Sequence, residues 1–325
     1  MITRRHFSVG AGAAALAGGA PALAQADWPS KPVSMVVPYP PGGLNDVVAR
    51  AFADKLTGAL GKSFIVDNKA GAATTVASNF AAKAAPDGYT IYAAGTSLVI
   101  NPTLQGNVQY DPRKSFLPVS MMSLTPFILH VTAGFPPKDM PELIAYLKAN
   151  PGKFNMATSG IGAVNHMCAE LFKARLGLDY AVVPYRGGAQ AAQDLAGGQA
   201  QMMFSASLEA SPLISSGRTR AIAISSIKRA PAFPDLPTVA EVSPLKDFDA
   251  VFWQAMVVPA GTPAVVIGRL GAAIAKIVAD PDMKKSFAER GVELASSSPA
   301  ELAALIERED KRWSTLIRER GMKAE

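Results

Sequence analysis

The chain has 325 residues, of which 32 are Lys or Arg and 26 are Asp or Glu, so its formal net charge is +6. Acidic and basic residues are interspersed and form no basic stripe, which excludes the usual electrostatic footprint of a nucleic-acid-binding protein. Cys168 is the only cysteine. It cannot form an intramolecular disulfide, and we expect its side chain to be buried and apolar.

The first 26 residues have the order of a secretory signal peptide. Arg4 and Arg5 precede an apolar Gly/Ala-rich stretch, residues 9–23, which is too short for a membrane span and ends at Ala24-Gln25-Ala26. We expect cleavage there and export of a soluble protein to the periplasm. The arginine pair followed by Phe7 resembles a twin-arginine signal, and a general secretory signal is the alternative. Losing both arginines lowers the formal net charge from +6 to +4.

The mature chain begins with repeated units of strand, glycine-rich loop and helix. A buried strand is predicted at residues 32–37, followed by the turn Pro40-Pro41-Gly42-Gly43 and a helix whose apolar residues recur every four positions from 48 to 60. Asn45 or Asp46 is predicted to cap that helix and Gly61 to end it. Strands at 64–66 and 89–94 and a helix at 75–84 continue the pattern. This alternation predicts a parallel sheet covered on both faces.

A second series of strands starts near residue 127. Further strands are predicted at 155–157, 181–183 and 221–224, and a helix at 142–149. A proline-rich connection at 231–237 then leads back to helices at 265–278 and 300–318. About 300 mature residues exceed what one compact core usually organises. We therefore predict an α/β protein with a first lobe, residues 27–123 and 227–325, and a second lobe, residues 124–226.

Groupings typical of enzymes are sparse. His130 and His166 have no Asp, Glu or Cys neighbours at metal-ligand spacing, and His166 points to a different helix face from Cys168. Ser159 lies in no nucleophile elbow. Gly160-x-Gly162 lacks the third glycine of a dinucleotide fingerprint, because Asn165 stands at that position. We expect no metal, no cofactor and no catalysis.

Two glycine loops suggest a different chemistry. The turn containing Ser159, Gly160 and Gly162 joins a strand to a helix, so its backbone N–H groups and the positive helix end are suited to a carboxylate. An ordinary strand-to-helix turn is the alternative. The turn at Pro40-Pro41-Gly42-Gly43 offers the same groups in the other predicted lobe, so the two loops together would form an anion trap. Lys69 and Arg186 are the only cations at the edges of these loops.

Ordered motifs along the mature chain resemble one family. Tyr39-Pro40-Pro41-Gly42-Gly43-x-x-Asp46-x-x-Ala49-Arg50 resembles the opening motif of the Bug receptors of tripartite tricarboxylate transporters. Asp67-Asn68-Lys69-Ala70-Gly71-Ala72 is similar to their Glu-Asn-Arg-Pro-Gly-Ala turn. Further matches are Pro86-Asp87-Gly88-Tyr89-Thr90, Asn101-Pro102, Tyr110-Asp111, Pro118-Val119, Ala157-Thr158-Ser159-Gly160-x-Gly162-x-x-x-His166, Val183-Pro184-Tyr185, Gly198-Gln199, Leu236-Pro237-Thr238 and Pro259-Ala260-Gly261-Thr262-Pro263.

The resemblance implies a type II periplasmic binding fold, with two α/β lobes joined by crossing strands around a ligand cleft. It implies a monomeric, non-enzymatic receptor that passes a small carboxylate to membrane permease subunits. A same-fold receptor for a sensor kinase and, less favoured, a periplasmic enzyme acting on a carboxylate are the alternatives. Thr74-Thr75 replaces a frequent family glycine. The resemblance places these residues at the ligand: Tyr39, Pro41, Gly42, Gly43, Asp46, Ala72, Ala73, Thr74, Gly95, Thr96, Ser159, Gly160, Gly162, His166, Tyr185 and Ser205.

Overall fold

The computed structural model describes residues 28–185 and 187–324. The predicted signal peptide with its twin-arginine motif, and Arg186, lie outside the described residues. Within those residues the chain forms ten strands. The strands are β1 (Val33–Val37), β2 (Phe64–Asn68), β3 (Thr90–Gly95), β4 (Phe116–Thr132), β5 (Asn155–Thr158), β6 (Ala181–Pro184), β7 (Met202–Ala206), β8 (Thr219–Ile224), β9 (Val251–Pro259) and β10 (Glu293–Leu294).

Eleven α-helices and one short 3₁₀ turn, Ala72–Thr74, cover the sheets in the described part of the chain. None of these helices is both long enough and apolar enough to cross a membrane. The helices are α1 (Leu44–Leu60), α2 (Thr75–Ala82), α3 (Ser97–Gln105), α4 (Met140–Ala149), α5 (Val164–Leu176), α6 (Gly188–Ala196), α7 (Ser207–Ser215), α8 (Val239–Val242), α9 (Ala264–Ala279), α10 (Pro281–Ala288) and α11 (Pro299–Glu319).

The long strand β4 belongs to two sheets. Residues 116–126 pair with β9 in a first sheet of order β2-β1-β3-β9-β4, and residues 127–132 pair with β7 and β8 in a second sheet that continues to β5 and β6. Strands β1 to β3 are mutually parallel, as predicted, and β5 to β7 are parallel as well, although no strand was predicted at β7. The predicted parallel sheet is interrupted by the crossing strands β4 and β9, which run antiparallel to their neighbours, and β8 and β10 pair antiparallel with β4.

The two sheets and their helices form the two lobes of an α/β protein, which is the predicted fold class. The core of the first lobe lies between its sheet and helices α1 and α9, and a second cluster continues under α11 into the second lobe. Helix α8 packs on β8 and α4, and Phe248 stacks on Phe204 at 6.3 Å between ring centroids. Part of the return segment after residue 226 therefore contacts the second lobe, and the exact lobe boundaries stay a prediction.

Helix α1 shows where local sequence rules held and where they did not. Gly61 ends it in the left-handed conformation, with φ of 73°, as predicted. The predicted side-chain cap is wrong, because the N-cap position is occupied by Gly43, which has no side chain to accept a hydrogen bond from the helix. Asn45 and Asp46 lie inside the first turn and are buried. Cys168 is fully buried, as predicted.

Candidate ligand-binding site

Six helices begin at the carboxyl ends of parallel strands. Helices α1, α2 and α3 follow β1, β2 and β3, and helices α5, α6 and α7 follow β5, β6 and β7. The two lobes meet where the side chain of Leu104, near the C-terminal end of α3, fills the space that a Cβ on Gly162, in the loop before α5, would need. We call the loops that precede the six helices the facing loops; each helix N-terminus is a source of free N–H groups and positive potential.

None of these six helix starts has a side-chain cap. By contrast, α4, α8, α10 and α11, which begin elsewhere, are capped by Asp139, Thr238, Asp280 and Ser298. Of the described helices that begin elsewhere, only α9 also lacks a cap. Ser, Thr, Asp and Asn normally occupy N-cap positions because their oxygens satisfy free N–H groups. Here α2 and α3 do have Thr74 and Thr96 at the N-cap, but neither hydroxyl accepts from its helix, and the N-cap residues of the other four helices are Gly or Ala. The first N–H groups of all six helices therefore lack an acceptor from the N-cap side chain.

The first glycine loop is held by Asp46. Its carboxylate accepts hydrogen bonds from the backbone N–H of Gly42 at 2.9 Å and from Arg50 Nε at 2.9 Å. The other oxygen accepts from Asn68 Nδ2 at 2.8 Å, and the same amide group donates to the carbonyl of Tyr39. These bonds outweigh burial and lower the pKa of Asp46. Asp46 thus shapes the loop, while Pro41, Gly42 and Gly43 are exposed.

The second loop has a strained backbone. Ala72, Ala73 and Thr74 have φ values of 44°, 49° and 82°, which residues other than glycine rarely adopt. Such strain costs of order 1–3 kcal/mol per residue and persists only where the surroundings enforce it. Asn101 Nδ2 donates to the carbonyl of Ala73 and to Thr74 Oγ1, and Gln105 Nε2 donates to the carbonyl of Ala72 at 3.1 Å. Helix α3 is therefore the support of this loop.

The third loop connects the other two. Thr74 Oγ1 donates to Ser97 Oγ at 2.9 Å, and the hydroxyls of Ser97 and Tyr39 lie 3.4 Å apart. The ring of Tyr39 packs edge-on against Phe252 of β9, with ring centroids 6.2 Å apart. Phe252 also lies against Gly95, where a Cβ would come within 3.0 Å of its ring. The predicted residues of the first lobe thus meet around Tyr39 and the crossing strand β9.

The facing loop of the second lobe follows β5. Gly160 and Gly162 have φ values of 140° and 75°, which favour glycine. Asn165 Oδ1 accepts from Ser159 Oγ at 2.8 Å, and Asn165 Nδ2 donates to the carbonyl of Phe204. His166 lies in the first turn of α5 and is 8% exposed, and its Nδ1 has no partner in the described chain. Burial lowers the pKa of His166, although Glu170 opposes this, so the neutral imidazole is favoured.

Three predicted ligand residues occupy different surroundings. Thr96 is fully buried, and its hydroxyl accepts from the backbone N–H of Trp253 at 3.1 Å. Ser205 is also fully buried, with its hydroxyl 2.7 Å from His130 Nε2. Tyr185 is half-buried beside Gly160, and burial and Asp194 raise its pKa. The structure brings Tyr185 to the facing loops but turns the hydroxyls of Thr96 and Ser205 into the lobes. A role in binding stays a prediction for the whole set.

A cavity of about 710 Å³ lies elsewhere and contains none of the predicted site residues. It is a groove between α11, residues 226–232 and the crossing strands. Four Lys or Arg and four Asp or Glu residues line it, so it has no net charge that would select an anion. We therefore place the candidate site at the facing loops, whose helix starts offer backbone N–H groups to an anion.

Neither a metal cluster nor an activated thiol is found among the described residues. Among residues 28–185 and 187–324 no group of three or more His, Cys, Asp or Glu could hold a metal ion. Burial raises the pKa of the Cys168 thiol well above its usual range, which disfavours the nucleophilic thiolate. The arrangement is suited to holding an anion by backbone donors.

Sequence reasoning missed several residues that build the site. Asn101 and Gln105 support the strained loop, and Ser97 joins two loops. Phe252 forms the wall beside Tyr39. The Asn101-Pro102 motif was a usable signal, because asparagine inside a helix favours bonds to backbone outside it. Phe252 gave no local signal, since it lies more than 200 positions from Tyr39 in the chain.

Comparison with known proteins gives a consistent result. A family model described as a tripartite tricarboxylate transporter family receptor matches residues 48–322. Three solved structures are similar over most of the chain. The periplasmic binding protein BugD has 34% sequence identity and a TM-score of 0.77, covering 92% of this chain and 100% of that one.

The other two structures contain ligands. Rpa4515 of R. palustris, solved with adipate, has 30% identity and a TM-score of 0.80, covering 91% of this chain and 99% of that one. MatC from Rhodopseudomonas palustris, with bound malate, has 30% identity and a TM-score of 0.76, covering 89% of this chain and 100% of that one. The similarity to periplasmic binding proteins confirms the predicted two-lobed, type II periplasmic binding fold.

Proposed function

The chain belongs to the tripartite tricarboxylate transporter receptor family, a family of periplasmic solute-binding receptors, and we propose that it captures a small carboxylate or dicarboxylate between its lobes. The proposal includes delivery of the bound acid to the membrane permease subunits of a tripartite tricarboxylate transporter. Two similar proteins hold the dicarboxylates adipate and malate, which supports this ligand class. The predicted signal peptide supports action in the periplasm.

The uncapped helix starts carry this proposal. Six helices begin at the facing loops without a side-chain cap, although four other helices of the chain are capped. Each helix end contributes about 0.3–1 kcal/mol to binding an anion when exposed and up to about 2 kcal/mol when partly buried. Hydrogen bonds to a charged acceptor add about 1.5–3 kcal/mol each. Because association itself costs several kcal/mol, micromolar affinity, about 8.2 kcal/mol net, requires several such donors acting together.

The loops proposed to contact the acid are those after β1, β2, β3 and β5, with Tyr185 after β6. Asp46 and Asn101 would act indirectly, by holding the first and second loops. The lobes are proposed to be residues 27–123 with 227–325 and residues 124–226, closing on the ligand about β4 and β9.

Titration calorimetry of the mature protein tests the proposal. Adipate and malate are compared with their neutral diamides, which keep length and shape but remove both charges. We expect binding of at least one acid and at least tenfold weaker binding of its diamide, a difference of about 1.4 kcal/mol. Equal binding of acid and diamide would contradict anion capture. Product analysis after incubation separates a receptor from an enzyme, since an enzyme would consume the acid.

A further inference from the structure

The loops that precede the helices of the second lobe include one acidic side chain, that of Glu209. Glu209 lies in the first turn of α7, immediately after β7, and is partly exposed. Its carboxylate packs against the Cα of Gly188, the first residue of α6, so closely that a Cβ there would overlap both carboxylate oxygens. Glu209 therefore stands between two of the six helix starts, at the same end of the sheet as Tyr185.

This position differs from the other helix starts in carrying an acid without a cation partner. The start of α6 is met by the carboxylate of Glu209, and α1 carries Asp46, which pairs with Arg50, whereas the first turns of α2, α3 and α5 contain no acid. In the described chain no Lys or Arg forms an ion pair with Glu209. Burial raises its pKa, although the backbone N–H of Ala206 opposes this. A partly buried acid without a cation partner is costly unless hydrogen-bond donors meet it, and the N–H of Ala206 is one such donor.

A second carboxylate would be unfavourable next to this acid, because like charges repel at short range. A hydroxyl or ammonium group would be favourable, because it donates a hydrogen bond to a charged acceptor. The cleft thus has a region of N–H donors suited to a ligand carboxylate and a region at Glu209 suited to a ligand group that donates a hydrogen bond. Discrimination of this kind depends on repulsion of the wrong ligand as much as on attraction of the right one.

We propose that Glu209 is a specificity-determining residue that selects carboxylates bearing a hydroxyl or ammonium group over unsubstituted ones. The inference rests on the proposed function, since it assigns a substrate class to the same cleft. Stabilisation of α6 and α7 is the purely structural alternative. The two roles differ in one observable, because a structural role changes affinity for all ligands alike, whereas a specificity role changes the ratio between ligands.

The test is titration calorimetry with three four-carbon diacids that differ at one position: succinate has no donor there, malate has a hydroxyl and aspartate has an ammonium group. The proteins are wild type, Glu209→Gln and Glu209→Asp. Glu307→Gln on α11 is the control, because it removes one exposed acid away from the loops. Melting temperatures establish that each variant is folded.

We expect wild type to prefer malate or aspartate over succinate, and Glu209→Gln to lower that preference by about tenfold. Glu209→Asp and Glu307→Gln should keep it. An unchanged ratio in Glu209→Gln would overturn the assignment. Binding of the diacids by wild type without any preference would overturn it as well, and leave the proposed function intact. Failure of wild type to bind any carboxylate would overturn the proposed function, and this assignment with it.

Discussion

Replacing Gly162 with Ala tests whether the lobes meet at α3 when ligand is bound. Gly162 has a φ of 75°, and a Cβ there would overlap the side chain of Leu104 in the other lobe. Overpacking of this kind typically costs about 1–3 kcal/mol. That cost applies only while the lobes are together, so it should subtract from ligand affinity. We expect the dissociation constant to rise by at least about fivefold, since 1.4 kcal/mol corresponds to tenfold.

The variant also carries backbone strain, which must be separated from the clash. Alanine in the left-handed region costs about 1–2 kcal/mol and lowers the melting temperature whether or not ligand is present. Gly106→Ala is the matched control, because its φ is 69° and nothing lies within 4 Å of its Cβ position. It should lower stability similarly and leave affinity unchanged. Shortening the opposing side chain by Leu104→Val should restore part of the affinity of Gly162→Ala.

Calorimetric titration with the acid that binds wild type, together with thermal unfolding, measures both effects. Wild-type affinity in Gly162→Ala, with a stability loss like that of Gly106→Ala, would show that the lobes do not meet at this point in the bound state. The same loss of affinity in both variants would show that strain, and not the contact with Leu104, governs binding.

Substitutions of Gly160, Lys69 and His130 test other parts of the structure. Gly160→Val should weaken binding by more than about tenfold while the circular dichroism spectrum stays native, because Gly160 has a φ of 140° and a Cβ there would meet the carbonyl oxygen of Tyr185 at 3.4 Å. Wild-type affinity in this variant would show that the turn is not part of the site. Lys69→Ala should weaken binding by less than about tenfold in calorimetry, because Lys69 already pairs with Asp67 at 3.0 Å; a hundredfold loss would indicate a direct ion pair with the ligand. Burial lowers the pKa of His130 from 6.5 to about 3. Between pH 3 and about 6.5 the imidazole is therefore protonated in the unfolded chain but neutral in the folded one. The free energy of unfolding should then fall by about 1.4 kcal/mol per pH unit as the pH drops through this range. Urea unfolding of wild type and His130→Gln checks this, and equal slopes would contradict it.

The parallel parts of both sheets were predictable because short apolar runs end in glycine turns. Strand β4 was only half predicted, and β7 and β9 were missed. Pro118 and Pro126 interrupt β4, and proline normally argues against an inner strand. Their positions are tolerated where the register shifts or the chain passes from one sheet to the other. Pairing between strands more than 100 residues apart is not encoded in a local pattern.

The site was predictable at the level of loops and less so at the level of side chains. Motif order places Thr96 and Ser205 at strand ends, but side chains alternate between faces, so one position decides between cleft and core. Both are fully buried. Asp46 looked like a helix cap from its place after a glycine turn. Its actual partners include Asn68, on a neighbouring strand, which the sequence around α1 does not reveal.

Native mass spectrometry of the freshly purified mature protein tests the capture of a small carboxylate most directly. A closed cleft lined by helix N-termini should retain part of its ligand through gentle purification. We expect a bound species that is released on denaturation, fragments as a carboxylic acid and is lost from the Gly160→Val variant. A retained species without a carboxylate, or a protein that stays empty both as purified and after incubation with adipate, malate and aspartate, would contradict the account.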